Sequence, residues 1–411
     1  MDIAYSILVT VTWFLSMYFT ILILLVLIFN RRKLYSETAG DGTTPVVSII
    51  ISAFNEQKTI QNCIESLSRL EYPKDKLEIV VVNDGSTDDT CGVVSHLASK
   101  SGLVFIDNKA NKGKAACLNQ GILASKGTLV ACMDADTEVE PDILKKTVPY
   151  FKDGSVAAVT VSVEVKDPKN LIEKIISMEY LIGLSLYLKA LSFLGSINVT
   201  PGPFSIFKKS ILVQIGLFDK NNITEDLEIA YRIHKFGYKI ENCMSAKVRT
   251  ITPNSLKQLY VQRKRWYSGA LHTVSHHKSI LFDKKLGFFG FVIPYMFLLI
   301  FVGMSLFFYA LFLSAKNLVT SMSYYSLTNF NFFDHNPFNI DLMTINLVTF
   351  FGVTTTLTLL INAVVCIKLA KLRVRHSIWR IFGLLMIFPL YQVFWTSSVI
   401  TVLFRRKVKW R

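Results

Sequence analysis

The chain has 411 residues, 51% of them hydrophobic, and a formal net charge of +15 at pH 7. Its mean hydropathy of +0.39 is too high for an ordinary soluble domain, so a membrane share is expected. The positive residues cluster beside apolar runs, at 31–33, 368–375 and 405–411; this is the pattern of cytosolic membrane flanks rather than of nucleic-acid binding.

Residues 1–33 open with a charge-free apolar run over 3–29, long enough to cross a hydrocarbon core of roughly 30 Å with some tilt. The run exceeds a signal-peptide h-region, lacks a basic n-region and ends in Arg31, Arg32 and Lys33 rather than small residues. A spanning anchor is predicted.

Residues 44–252 read as a globular domain. VVSIIIS at 46–52 is a β-branched run suited to a strand buried on both faces, which implies a parallel sheet. The next segment places Ile60, Ile64, Leu67 and Leu70 on one helical face. LEIVVV (77–82), LVFI (103–106) and TLVACM (128–133) supply further strands, with a helix beginning near Lys114 between the last two. This alternation predicts a doubly wound α/β sheet whose ligand sits at the carboxyl ends of the strands.

Polar clusters fall at that edge: Ser52 to Glu56 after the first strand, Asn83 to Ser86 after the second, and Asp134-Ala135-Asp136 after the fourth. Any one of them could simply make a turn. The first turn, SAFNE, lacks the glycines of a dinucleotide site. An acidic edge would repel a bare phosphate, so a bridging Mg²⁺ or Mn²⁺ on Asp136 and Asp134 is implied if the ligand is phosphorylated. The six cysteines form no CxxC pair and are expected to be reduced, structural thiols.

Residues 171–199 are rich in Leu and Ile but carry Glu173, Lys174, Glu179 and Lys189, which predicts amphipathic helices at the membrane surface. Thr224-Glu225-Asp226 then opens a helix with a stripe of Leu227, Ile229, Ala230 and Ile233. Asp226 alone could be an ordinary acid favoured by the helix dipole. Residues 253–283 form an amphipathic interfacial segment containing Gln262, Arg265 and Trp266. That segment is either a basic membrane anchor or a site in which Arg265 meets a diphosphate and Trp266 offers a face to a sugar. Over 284–411, apolar runs at 286–314, 342–369 and 378–404 predict a membrane region with a basic cytosolic tail, and the loop 316–341 lies on the opposite side. Pro389 divides the last run into halves too short to span, so a re-entrant hairpin is expected.

Together SAFNE (52–56), NDGS (83–86), NKGKAACLNQG (111–121), DAD (134–136), PGPFSIF (201–207), TED (224–226) and QRKRW (262–266) make the chain resemble the processive family-2 glycosyltransferases, the cellulose, chitin, hyaluronan and poly-N-acetylglucosamine synthases. Ser52, where proline is usual, and Asn83, where aspartate often stands, depart from the pattern. The resemblance implies an α/β GT-A (Rossmann-like) cytosolic domain plus α-helical transmembrane segments, in a multi-pass protein of the cell membrane.

It also implies roles. Phe54, Glu56, Asp84 and Lys114 would shape the nucleotide pocket, with Asp134 near the sugar phosphate and Asp136 on the metal. Asp226 would be the general base. Gln262, Arg265 and Trp266 would hold the diphosphate and the acceptor end, with Glu225 of the TED turn beside them, and Gly202, Pro203 and Phe204 would lie next to the acceptor. The expected partners are a UDP-sugar donor, UDP-GlcNAc or UDP-glucose, and a polysaccharide or lipid-linked acceptor, with a further subunit or an oligomer completing any channel. A single inverting displacement extending a β-linked polysaccharide is expected. Transfer of one sugar to a membrane lipid is the competing reading.

Overall fold

Strand β1 (Val47–Ala53) shows why this domain forms: alternate residues feed two cores. Val47, Ile49 and Ile51 pack on one face of the sheet with α2 (Ile60–Ser68), while Ile50 packs on the other. The computed structural model describes residues 3–38, 42–327, 347–372 and 374–404. Strand β2 (Leu77–Asp84) pairs parallel with β1, and after α3 (Thr90–Ser101) strand β3 (Val104–Asn108) pairs parallel with β2. Helix α4 (Lys114–Ala124) then leads to β4 (Leu129–Asp134), parallel to β1 on its other side.

Beyond β4 the sheet becomes mixed. The short β5 (Thr137–Val139) and α5 (Ile143–Thr147) precede β6 (Val156–Val165). Strand β7 (Phe204–Lys208) runs antiparallel to both β4 and β6, and α8 (Lys209–Gln214) and α9 (Glu225–Lys235) precede β8 (Lys239–Thr250). The order is β3-β2-β1-β4-β7-β6-β8-β5. The expected GT-A α/β domain is present, but the doubly wound pattern holds only for β1 to β4.

Between β6 and β7, α6 (Leu171–Tyr180) runs through a π-helical segment, Leu181–Tyr187, into α7 (Leu188–Phe193). The segment 171–199 is two-sided: Leu171 is exposed, whereas its later residues turn into the domain. Leu186, Leu188, Ala190 and Leu191 are fully buried, and buried Lys189 donates from Nζ to the Asn242 carbonyl at 2.7 Å. The Asn242 carbonyl offsets part of the cost of burying this ammonium, whose pKa burial lowers.

Among the described residues four helices are long and apolar enough to cross a membrane. They are α1 (Ile3–Phe29), α11 (Phe289–Leu327), α12 (Leu347–Leu369) and α13 (Val374–Leu403); α10 (Leu256–His276) links the domain to α11. Two expectations change. Helix α11 continues to Leu327, so part of the supposed loop 316–341 is helical, and the remainder lies outside the described residues. Helix α13 passes through Pro389 without a break, so no hairpin forms there. All six cysteines are free, as expected.

Candidate active site

Lys114, the first residue of α4, ties two distant turns together. Its Nζ lies 2.6 Å from Asp134 Oδ1 at the end of β4 and 3.0 Å from Glu225 Oε1 at the start of α9. Burial alone would discharge this lysine, but Asp134, then Glu225 and Asp226, outweigh it and raise its pKa. The ammonium therefore stays charged.

Asp84 sets the approach of α4. Its Oδ1 accepts from Lys112 N at 2.7 Å and its Oδ2 from Gly113 N at 3.0 Å, so both oxygens of this buried carboxylate hold the loop before Lys114. The turn after β1 is fastened to the NDGS turn: Thr87 N donates to Asn55 Oδ1 at 2.8 Å and Glu56 N to Thr90 Oγ1 at 2.8 Å. Phe54 and Glu56 lie half-buried on this edge.

Gly202 rests on the Lys114–Asp134 pair. A Cβ there would lie 2.7 Å from Lys114 Nζ and 2.9 Å from Asp134 Oδ2, so any larger residue would have to push the Lys114–Asp134 pair aside. Pro203 is half-buried beside it, whereas the Phe204 ring is wholly buried in the sheet core. An acceptor passing here would therefore meet the Phe204 backbone and not its ring.

Asp226 stands in the first turn of α9. Its carbonyl accepts from Thr200 N at 3.0 Å and Thr200 Oγ1 at 2.8 Å, and its Oδ1 accepts from Leu227 N at 2.9 Å. Burial, and next Glu225, push its carboxyl up to about 6 against the pull of Lys114 and Arg265. Arg265 thus acts on Asp226 across the gap between α10 and α9. The two helices meet where Gly269 packs on Thr224, and Asn222 Nδ2 donates to Thr273 Oγ1 at 2.9 Å.

Asp136 Oδ1 accepts from Thr250 Oγ1 at 3.1 Å. Burial, then the Asp134 and Glu56 charges, push its carboxyl up to about 7. Among the described residues no three His, Cys, Asp or Glu side chains converge as a metal cage. Two carboxylates at a strand end, one destabilised by its negative neighbours, do fit Mg²⁺ or Mn²⁺, which commonly takes one or two protein carboxylates and completes its shell with water and phosphate oxygens.

On α10 the neighbours of the expected residues come from elsewhere. The Arg263 guanidinium lies 4.1 Å from the Trp266 ring centroid, its Nη1 donates to Gln262 Oε1 at 2.8 Å, and its Nη2 meets Glu179 Oε2 at 2.8 Å. Tyr391 of α13 donates to the same Glu179 oxygen at 2.7 Å, and Tyr180 stacks against Trp266. Sequence reasoning missed Arg263, Glu179 and Tyr391. The only local signal was Glu179, a charge inside an apolar stretch. Missed too were Thr200 and Thr250, hydroxyl residues indistinguishable in sequence from many others.

A cavity of about 510 Å³ lies beside Phe218, Asp219 and Arg232, and none of Asp134, Asp136 or Asp226 lines it. In its wall Glu228 binds Arg232 at 2.6 Å and His277 at 2.9 Å. The space enclosed by Lys114, Gly202, Glu225 and Asp226 is only about 10 Å³. The expected residues Asp134, Lys114, Gly202, Glu225 and Asp226 therefore come together, with Asp136 next to Asp134 and the Arg265 charge felt at Asp226.

Residues 48–216 match the Glycosyl transferase family 2 model. The chain is 32% identical over 224 residues to the poly-beta-1,6-N-acetyl-D-glucosamine synthase of Staphylococcus aureus (strain COL), and 33% identical over 224 residues to that of Staphylococcus epidermidis; each match covers 54% of this chain and 54% of the relative. The chain thus spans about half the length of the curated relatives it matches. In three dimensions it is similar to the mannosyltransferase PcManGT from Pyrobaculum calidifontis, solved in complex with GDP-Man and Mn²⁺, with TM-score 0.63, 19% identity, and coverage of 97% of this chain and 100% of that one.

Proposed function

We propose that this chain, which carries a family-2 glycosyltransferase domain over residues 48–216, is an inverting membrane glycosyltransferase that extends a β-linked polysaccharide from a UDP-sugar, UDP-GlcNAc before UDP-glucose. One observation carries the reading: Lys114 joins Asp134 to Glu225, bringing the DAD edge and the TED turn into one polar site. The sequence likeness to poly-beta-1,6-N-acetyl-D-glucosamine synthases supports the donor and the polymeric product. The four long apolar helices and the basic flanks support a multi-pass protein with its catalytic domain in the cytosol.

In this reading an acceptor hydroxyl attacks the anomeric carbon, a new C–O bond forms, and the bond to the diphosphate oxygen breaks. Asp226 takes the hydroxyl proton, a role worth typically 10² to 10⁴ in rate. Arg265, whose charge is felt at the same carboxylate, stabilises the departing diphosphate, an effect on the order of 3 kcal/mol. Asp136 and Asp134 would hold Mg²⁺ or Mn²⁺, which supplies a positive charge to the diphosphate oxygens. Lys114 holds the Asp134 carboxylate in place. Gln262 and Trp266, steadied by Arg263, line the acceptor side. A single displacement inverts the anomeric centre.

The test uses the full chain in membranes, incubated with a panel of sugar nucleotides, with released nucleoside diphosphate and product size measured together. Asp226→Asn should keep donor binding and lose transfer by 10² to 10⁴. Near-normal turnover would remove Asp226 as the base. A product that stays small and extracts into organic solvent would replace the polymer with a single-sugar lipid.

A further inference from the structure

The last apolar helix is long enough to cross a bilayer, yet it never leaves the domain. Near its start Ile381 packs with Met178 of α6 and with Ala363 and Ile367 of the last turns of α12. A Cβ on Gly383 would lie 2.5 Å from Ile175 Cγ1, so α13 touches α6 there. Tyr391 reaches Glu179. Trp395 stacks on Tyr267 of α10 at 4.1 Å between ring centroids and meets Phe297, near the start of α11. Ser397 Oγ lies 2.6 Å from Tyr260 OH, and Ser398 Oγ donates to the Lys264 carbonyl at 3.5 Å.

From 381 to 398 the axis advances about 26 Å at 1.5 Å per residue, close to the roughly 30 Å of a hydrocarbon core. A crossing helix would carry its second half far from anything polar. Here the second half instead contacts α10, whose Gln262, Arg263, Lys264 and Arg265 could not sink to that depth. The helix also passes from the domain end of α12, where Lys371 lies over Tyr35, to the domain end of α11, where Phe289 is buried against Tyr231 and His234.

We propose that α13 lies along the membrane surface on the domain side, with one face clamped to α6 and α10 and the other in contact with lipid. The outer face is apolar at helical spacing: Trp379 (78% exposed), Phe382, Met386 (77%), Val393 and Ile400. An apolar stripe of this length requires a cover, and the lipid around α11 and α12 continues directly onto it. Arg380 and the five basic residues of 405–411 suit anionic headgroups at its two ends. Pro389, on the exposed side, leaves the Leu385 carbonyl without its usual helical donor, a group that interfacial water can satisfy. Both basic flanks then fall on the domain side, as the charge pattern asks.

The experiment labels the full chain in intact cells with a membrane-impermeant maleimide, using one cysteine appended after Arg411 and, as markers, Ser36→Cys on the domain side and Ser326→Cys at the far end of α11. The appended cysteine should behave as Ser36→Cys does, before and after permeabilisation. Labelling together with Ser326→Cys would overturn the proposal. As a second measurement, spin labels at Phe382→Cys, Met386→Cys, Val393→Cys and Ile400→Cys should report one shallow depth. A monotonic change in depth, amounting to about 27 Å between 382 and 400, would overturn it as well. Neither readout depends on enzymatic activity.

Discussion

Arg263 is 1% exposed, and its only carboxylate among the described residues is Glu179, 2.8 Å from Nη2. The pair joins the helix bearing Gln262 and Trp266 to a segment more than 80 residues earlier in the chain. Removing Glu179 would leave a buried guanidinium without a counter-charge, a loss of about 3 to 5 kcal/mol. Glu179→Ala should therefore lower the melting temperature in detergent strongly, and Glu179→Gln less. The double variant Glu179→Leu/Arg263→Met should recover stability yet not turnover, because Gln262 and the Trp266 ring would lose the group that fixes them. Full activity in that double variant would reduce Arg263 to a packing residue.

The carboxyl of Asp226 is pushed up to about 6 by burial and by Glu225. A base must be ionised to act, so kcat/KM of the free enzyme should fall about tenfold per pH unit below 6 and level off above it. Arg265 opposes the rise. Arg265→Gln should therefore move the break in the profile to higher pH, which a full pH–rate series would measure.

Asp136 carries the larger rise, to about 7, from burial followed by Asp134 and Glu56. Between an unfolded carboxyl near 3.9 and a folded one near 7, the folded state binds the proton more tightly. Stability from this group is thus complete below about pH 4 and is lost as pH rises towards 7. In chelator the melting temperature should show this loss, and Asp136→Asn should flatten it. Mn²⁺ should stabilise the unsubstituted chain more at pH 8 than at pH 5.5, since it displaces that proton, and should have little effect on Asp136→Asn.

Gly202→Ala would place a methyl group 2.7 Å from Lys114 Nζ. The ammonium is held by two carboxylates, so moving it aside should lengthen the Lys114–Asp134 contact. Turnover should drop roughly 10- to 100-fold with little change in melting temperature. A fall confined to stability would show that this glycine serves only the fold.

Much of the site was legible before any fold was known. The run at 46–52 announces a doubly buried strand because β-branched residues are suited to little else, and turns after successive parallel strands must share an edge. Glu56, Asp84 and Asp136 come together on that edge for this reason alone. The later antiparallel strands were not legible, because β6, β7 and β8 owe their direction to long connections that carry no local mark.

The sequence by itself determined the apolar helices, the parallel half of the sheet and the acidic edge, since hydrophobic period and strand-end chemistry are local properties. Tertiary structure alone decided which arginine of QRKRW is buried. Arg263 and Arg265 are equivalent in composition but lie about 200° apart around the helix, so packing turns Arg263 towards Glu179, while the charge of Arg265 is felt at Asp226. It likewise decided that Lys114 is shared between Asp134 and Glu225 and that α13 stays against the domain. Hydropathy records how much a helix avoids water, and says nothing of which neighbour takes the water's place.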